Sequence, residues 1–289
     1  MNRRDFVFKS TLCSAAFSVP HVTNAKYIFN SKFDVTNNFG IQLYSLKDEM
    51  EKDPKSTLKK LASFGYKYLE GYEGSLGLFW GMSNIEFNIY LESLGLKMIA
   101  SHCNDTDDFD GFNSKCFQAA EIGMDYLICP WIGGERNKET FQKHADTFNK
   151  CGQIAKTNGI KFAFHNHDYT FKNDKGEVLQ DILMKNTDPD LVDFELDIYW
   201  VVAAKQDPIK WFDKYPNRFK YCHVKDYLKL ENGHETCTLG RGSIDFQKVI
   251  SHGVKKGLKT FIVEQENFRN TNPLEAARDN LNYMKKIKA

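Results

Sequence analysis

Five times along the chain a helical pattern ends in glycine and an apolar run follows at once: Gly65–Glu70, Gly95–His102, Gly123–Pro130, Gly159–His165 and Gly257–Glu264. Glycine closes helices in the left-handed conformation. Short, almost uniformly apolar strands suit a parallel sheet covered on both faces. The rhythm predicts eight strands, near 39–45, 67–72, 96–102, 125–130, 160–167, 192–198, 219–225 and 259–265. Helical patterns separate them, among them Pro54 to Phe64, Lys138 to Thr157 and Pro273 to Ile287. Eight alternating units in about 250 residues predict an α/β fold, a single (β/α)8 TIM barrel over 38–289. A doubly wound open sheet is disfavoured, because no G-x-G-x-x-G follows the first strand. Asp226 to Gly242 is the longest segment without an assignment and reads as a loop.

Composition narrows the function. The formal net charge is +1 and no long Lys/Arg run occurs, so nucleic acid is not an expected partner. The seven cysteines form no C-x-x-C pair and read as free thiols rather than a disulfide framework. Residues 1–25 differ from the rest. Arg3-Arg4, a moderately apolar run from Leu12 to Val19, and Thr23-Asn24-Ala25 read as a twin-arginine-type signal peptide cut after about Ala25. The expected location of the mature chain is therefore periplasmic. No run of about 18 apolar residues occurs, so no integral membrane span is expected.

The active site of such a barrel forms at the C-terminal ends of its strands. Here those ends read Ser101-His102, His165-Asn166-His167-Asp168, Glu195-Leu196-Asp197, His223-Val224-Lys225-Asp226 and Glu264-Gln265-Glu266. Side chains alternate along a strand. His165 and His167 therefore share a face, as do Glu195 and Asp197, His223 and Lys225, and Glu264 and Glu266. Faces turned to the barrel axis would gather imidazoles and carboxylates. Such mixed ligands suit Mn, Zn, Co or Fe as divalent ions better than calcium. A metal ion there could polarise a carbonyl, and neighbouring carboxylates or Lys could move a proton at the adjacent carbon. Each group alone reads as an ordinary strand-end residue; the coincidence over four strands points to a site.

The chain resembles the xylose-isomerase-like TIM-barrel superfamily, often described as sugar phosphate isomerase/epimerase. The resemblance covers about 38–289. It rests on GIQLYSLKD (40–48), HNHD (165–168), LDIYW (196–200), HVKD (223–226), GRGSID (240–245) and VEQE (263–266). It implies one divalent ion held by Glu, Asp, His and Glu from four strand ends. Asp197 and His223 match the second and third ligands. The fourth is Glu264 or Glu266, with Glu264 preferred. The first departs from the pattern, since His165 stands where Glu is usual. If Glu264 is a ligand, Glu266 or Lys225 serves as general base. His102 and His167 then bind sugar hydroxyls or relay protons. Trp200 is a further substrate-binding candidate, and Arg241, Tyr44, Glu70 and Glu73 are candidate pocket residues.

The implied activity is that of a metal-dependent sugar isomerase or epimerase, working by proton transfer next to a carbonyl. An exported lyase that expels the C1 substituent of 3-keto-glycosides is the alternative. The expected partner is a small-molecule sugar or glycoside, and oligomerisation stays open. A non-catalytic sugar-binding protein, with Trp80, Trp131, Trp200 or Trp211 as stacking platforms, is the reading from a different class.

Overall fold

The computed structural model describes residues 38–288 except Asp105. The expected signal peptide lies outside the described residues. Eight parallel strands close into a barrel: β1 Phe39–Gln42, β2 Tyr68–Tyr72, β3 Lys97–His102, β4 Tyr126–Cys129, β5 Lys161–His165, β6 Val192–Asp197, β7 Phe219–Val224 and β8 Thr260–Val263. Each strand pairs with its sequence neighbours, and β8 closes on β1 through Phe39–Phe261, Gly40–Ile262 and Ile41–Val263. All eight lie where the glycine rhythm predicts them. All eight are shorter than expected, and six of them stop early at the C-terminal rim, where the backbone turns away. After β1 the chain enters a 3-10 turn, Leu43–Leu46, in which the Gln42 side chain accepts from Tyr44 N.

The helices follow their sequence signals. Asp53 caps Pro54–Phe64 by accepting from Ser56 N, and Gly65 ends it at φ 105°. Asn137 caps Lys138–Thr157, which turns Phe141, Ala145, Phe148, Cys151 and Ala155 to the barrel. These apolar positions follow one stripe of a 3.6-residue repeat. The last helix is Pro273–Met284, shorter than the expected run to Ile287.

Two apolar layers result. The larger fills the space between barrel and helices and includes Phe162, Phe164, Phe194, Leu196, Cys222, Val224, Phe261 and Val263. The smaller fills the barrel itself with Ile99, Ala100, Tyr126, Ile128, Ala163, Tyr221 and Ile262. In β5 the alternation is plain: Phe162 and Phe164 face out, Ala163 faces in. The next inward residue is His165.

Asp226 to Gly242 is not the loop expected from its composition. Asp226–Leu230 and Gly233–Cys237 form an antiparallel hairpin. The Asp226 carboxylate accepts from the backbone N–H groups of Tyr227, Gly240, Gly242 and Ile244. The aspartate of HVKD thus holds the GRGSI turn in place. Gly242 packs so closely on that carboxylate that a Cβ would collide with it.

Candidate active site

Above the apolar filling, the barrel holds a buried polar layer. Its centre is Glu195 on β6, whose Oε2 lies 2.9 Å from His102 Nε2, 3.0 Å from His165 Nδ1 and 3.2 Å from His223 Nε2. Glu70 on β2 sits beside it, with Oε1 2.6 Å from His223 Nε2. Gln42 Nε2 donates to Glu70 Oε1 at 2.9 Å, which gives the glutamine of GIQLYS a positioning role.

The second nitrogens of two of these imidazoles point upward. His165 Nε2 lies 3.7 Å from Asp197 Oδ2. His223 Nδ1 lies 2.9 Å from Glu264 Oε2 and 3.8 Å from Asp197 Oδ2. His165, Asp197, His223 and Glu264, from the ends of β5 to β8, therefore converge. Asp197, His223 and Glu264 alone present one ligand atom each within 4.8 Å of one another. Asp197 has two tasks. Its Oδ1 caps helix Ile198–Ala203 by accepting from Trp200 N, and its Oδ2 faces the site. Asn166 ties β5 to β6, because its Oδ1 accepts from Asp197 N while its Nδ2 donates to Asp197 O.

Lys225 is buried against this upper group. Its Nζ lies 2.8 Å from Glu264 Oε2 and 3.4 Å from Asp197 Oδ2, and it also pairs with Glu266. Burial opposes its charge, but Asp197, Glu264 and Glu266 keep it protonated well above the ordinary lysine range. In that protonated state its Nζ is a hydrogen-bond donor toward these carboxylates. His223 is likewise held charged: burial opposes the charge, and Glu195, Glu264 and Glu70 outweigh it. Burial raises Glu264, yet Lys225 and His223 bring it well below the usual carboxylate range. Burial pushes Asp197 up to about 6, against Lys225 and His223. Burial, then the nearby Glu195, pushes Glu70 up to about 7. His165 falls to about 3, through burial and then the His223 charge. His167 falls to about 2, through burial, His165 and Lys225, so its ring is neutral.

A cavity of about 240 Å³ opens above these groups. Its walls include His102, His165, His167, Lys225, Glu264 and Glu266, with Tyr44 and Trp131 at the aromatic edge. Glu264 is 5% exposed, whereas the Glu266 side chain is 37% exposed. Trp131 is 55% exposed and meets His167 edge to face. Trp200 packs behind His167 and Lys225 instead. Trp80 and Trp211 are core residues. Glu73 lines the cavity, but its carboxylate is paired with Lys115. Arg241 is exposed and is not part of the cavity wall.

The donor set fits a divalent ion. Each upward nitrogen belongs to a ring whose other nitrogen rests on a carboxylate, Glu195 behind His165 and Glu70 behind His223. Such outer partners orient metal-binding imidazoles. Sequence spacing puts Glu195 on the face of Asp197. It does not reveal that Glu195 lies one layer deeper and gathers three histidines, nor that Glu70 joins it from across the barrel.

Fold and site together define a (β/α)8 barrel with a buried polar cluster and an open cavity at its C-terminal mouth. Residues 58–287 match the xylose isomerase-like TIM barrel family, and the chain belongs to that family. A sugar phosphate isomerase/epimerase from Parabacteroides distasonis ATCC 8503 superposes with a TM-score of 0.75 at 26% identity, covering 90% of this chain and 97% of that one. The inosose dehydratase of Clostridium botulinum (strain Alaska E43 / Type E3) is 30% identical over 167 residues, 52% of this chain and 55% of its own. The chain thus spans about half the length of that curated relative. 3-Keto-D-glucoside 4-epimerase from E. coli shares the fold, with a TM-score of 0.64 at 14% identity over 86% of this chain and 98% of that one. None of the described helices is long and apolar enough to cross a membrane.

Proposed function

We propose that the protein is a divalent-metal-dependent sugar isomerase/epimerase that transfers a proton at the carbon next to a carbonyl. The observation that carries this reading is the convergence of His165 Nε2, Asp197 Oδ2, His223 Nδ1 and Glu264 Oε2 beneath an open polar cavity. A bound Mn, Co, Zn or Fe ion would supply Lewis-acid polarisation of the carbonyl. Glu266, the site carboxylate with solvent access, takes the α-proton. The Lys225 ammonium donates to the oxygen on which negative charge develops. His102 and neutral His167 hydrogen-bond sugar hydroxyls, and Trp131 offers its face to the ring.

A second reading shares the first step. Removal of the α-proton followed by departure of a group from the next carbon is elimination, and curated relatives of the chain include inosose dehydratases. In a 3-keto-glycoside the proton would leave C2 and the substituent would leave C1. The amino-terminal signal reading supports an exported enzyme acting in the periplasm; fractionation that finds intact Met1 in the cytosol would overturn that placement.

The test is exchange in D2O. Metal-loaded protein incubated with keto-sugars and 3-keto-glycosides should place deuterium at the carbon beside the carbonyl, seen by NMR, and lose this on chelation. Exchange without release of a substituent marks the epimerase; release marks the lyase. Ligand binding with no exchange in either substrate class would leave a sugar-binding protein instead.

A further inference from the structure

Below the donor set just described lies a second one. His102 Nε2, His165 Nδ1 and His223 Nε2 all close on Glu195 Oε2, at 2.9, 3.0 and 3.2 Å. The four groups present ligand atoms within 4.8 Å of one another and are all buried. A zinc tetrahedron with bonds of about 2.0–2.1 Å has edges of roughly 3.3–3.4 Å. The three edges running from Glu195 are already within about half an ångström of that value. Glu195 Oε1 and Glu70 Oε2 are buried without a hydrogen-bond partner, and orphaned buried carboxylate oxygens are costly. A cation beside Glu195 Oε2 would offset the buried negative charge of these two carboxylates.

We propose that these residues form a second metal position, rich in nitrogen, which is used in alternation with the upper one. Three imidazoles and one carboxylate suit Zn²⁺, Ni²⁺ or Cu²⁺. The upper set, with two imidazoles and two carboxylates, suits Mn²⁺ better. Alternation follows from the rings that the two sets share. A neutral imidazole offers one nitrogen lone pair, because its other nitrogen carries the proton. His165 gives Nδ1 to the lower position or Nε2 to the upper. His223 gives Nε2 to the lower or Nδ1 to the upper. One metal therefore fixes both tautomers and closes the other position. His102, which takes no part in the upper set, selects for the lower. The consequence is metal-specific inhibition: an ion seated below draws His165 and His223 away from the substrate side. The inference is independent of which sugar reaction the upper site performs.

The experiment is equilibrium binding of Mn²⁺ and Zn²⁺ to the purified full chain and to His102→Gln, with Co²⁺ absorption as a probe of coordination. Wild type should bind one ion per chain, Mn²⁺ or Zn²⁺, and not both. His102→Gln should weaken Zn²⁺ at least tenfold and leave Mn²⁺ within twofold. The Asp197→Asn/Glu264→Gln variant should lose Mn²⁺ yet keep one Co²⁺ with tetrahedral absorption. Unchanged Zn²⁺ affinity in folded His102→Gln would overturn the proposal, and so would two ions bound together in wild type.

Discussion

Glu266 and Glu264 are two residues apart and face the same way, yet their surroundings differ. Glu264 is buried between His223 and Lys225, while Glu266 reaches the cavity with a half-open carboxylate. A metal ligand needs the first setting and a proton acceptor the second. Glu266→Gln keeps the shape and removes the base. We expect kcat to fall by about 10²–10⁴-fold with metal content unchanged; loss of metal together with activity would exchange the two roles. pH provides a separate test. Burial raises Asp197 to about 6, and His223 is held protonated well above its ordinary value. Ligands must shed these protons before a metal binds, so affinity rises with pH, through 6 on account of Asp197 and further on account of His223. Mn²⁺ titrated at pH 5 and pH 7 should bind at least tenfold more weakly at the lower value. Equal affinity would show that neither group is a ligand.

Strands and turns decide where these side chains end. The hairpin Asp226–Leu230 and Gly233–Cys237 lies beside the segment after β8. Thr236 Oγ1 accepts from Glu266 N at 2.9 Å and Asn267 N at 2.7 Å. Thr236→Val keeps the volume and leaves both donors without this acceptor. We expect stability to fall by about 1–3 kcal/mol in urea unfolding, and kcat to fall about tenfold as Glu266 loses its position. A stability loss with normal kcat would make the contact structural only. The hairpin also marks a limit of the sequence. Asn232-Gly233 is a hairpin signal, but the flanking residues are charged and half-exposed, so no clean alternation surrounds it. The barrel strands were legible because both of their faces are covered, which writes apolar runs behind each glycine. Inward faces at β5 to β8 were legible from the two-residue alternation. Depth was not: that Glu195 sits below Asp197, and that Glu70 reaches it from β2, depends on the stagger between strands closed in a barrel.

Across the whole barrel, the polar layer carries an imbalance of charge. Glu70, Glu195, Asp197 and Glu264 are four carboxylates, each 5% exposed or less. Lys225 and His223 are the two groups among them held charged and positive. Burying unpaired charge is expensive, and here part of that cost appears as the raised Glu70 and Asp197. A divalent cation bound as proposed would offset the remainder. It would also join strands β5 to β8, half of the closed circle, through donors that the unfolded chain does not bring together. Binding to the folded state alone stabilises it by RT ln(1 + [L]/Kd), about 2.7 kcal/mol at one hundred times Kd. In a domain of this size each kcal/mol moves Tm by about 2–4 °C. Thermal unfolding with saturating Mn²⁺ should therefore shift upward by about 5–11 °C, and chelator should return it to the metal-free value. Asp197→Asn should lose the shift while unfolding cooperatively on its own. An unchanged Tm in the wild-type protein at saturating metal would mean that Lys225 already balances the upper site, and that the four strands are held by hydrogen-bonded ion pairs alone.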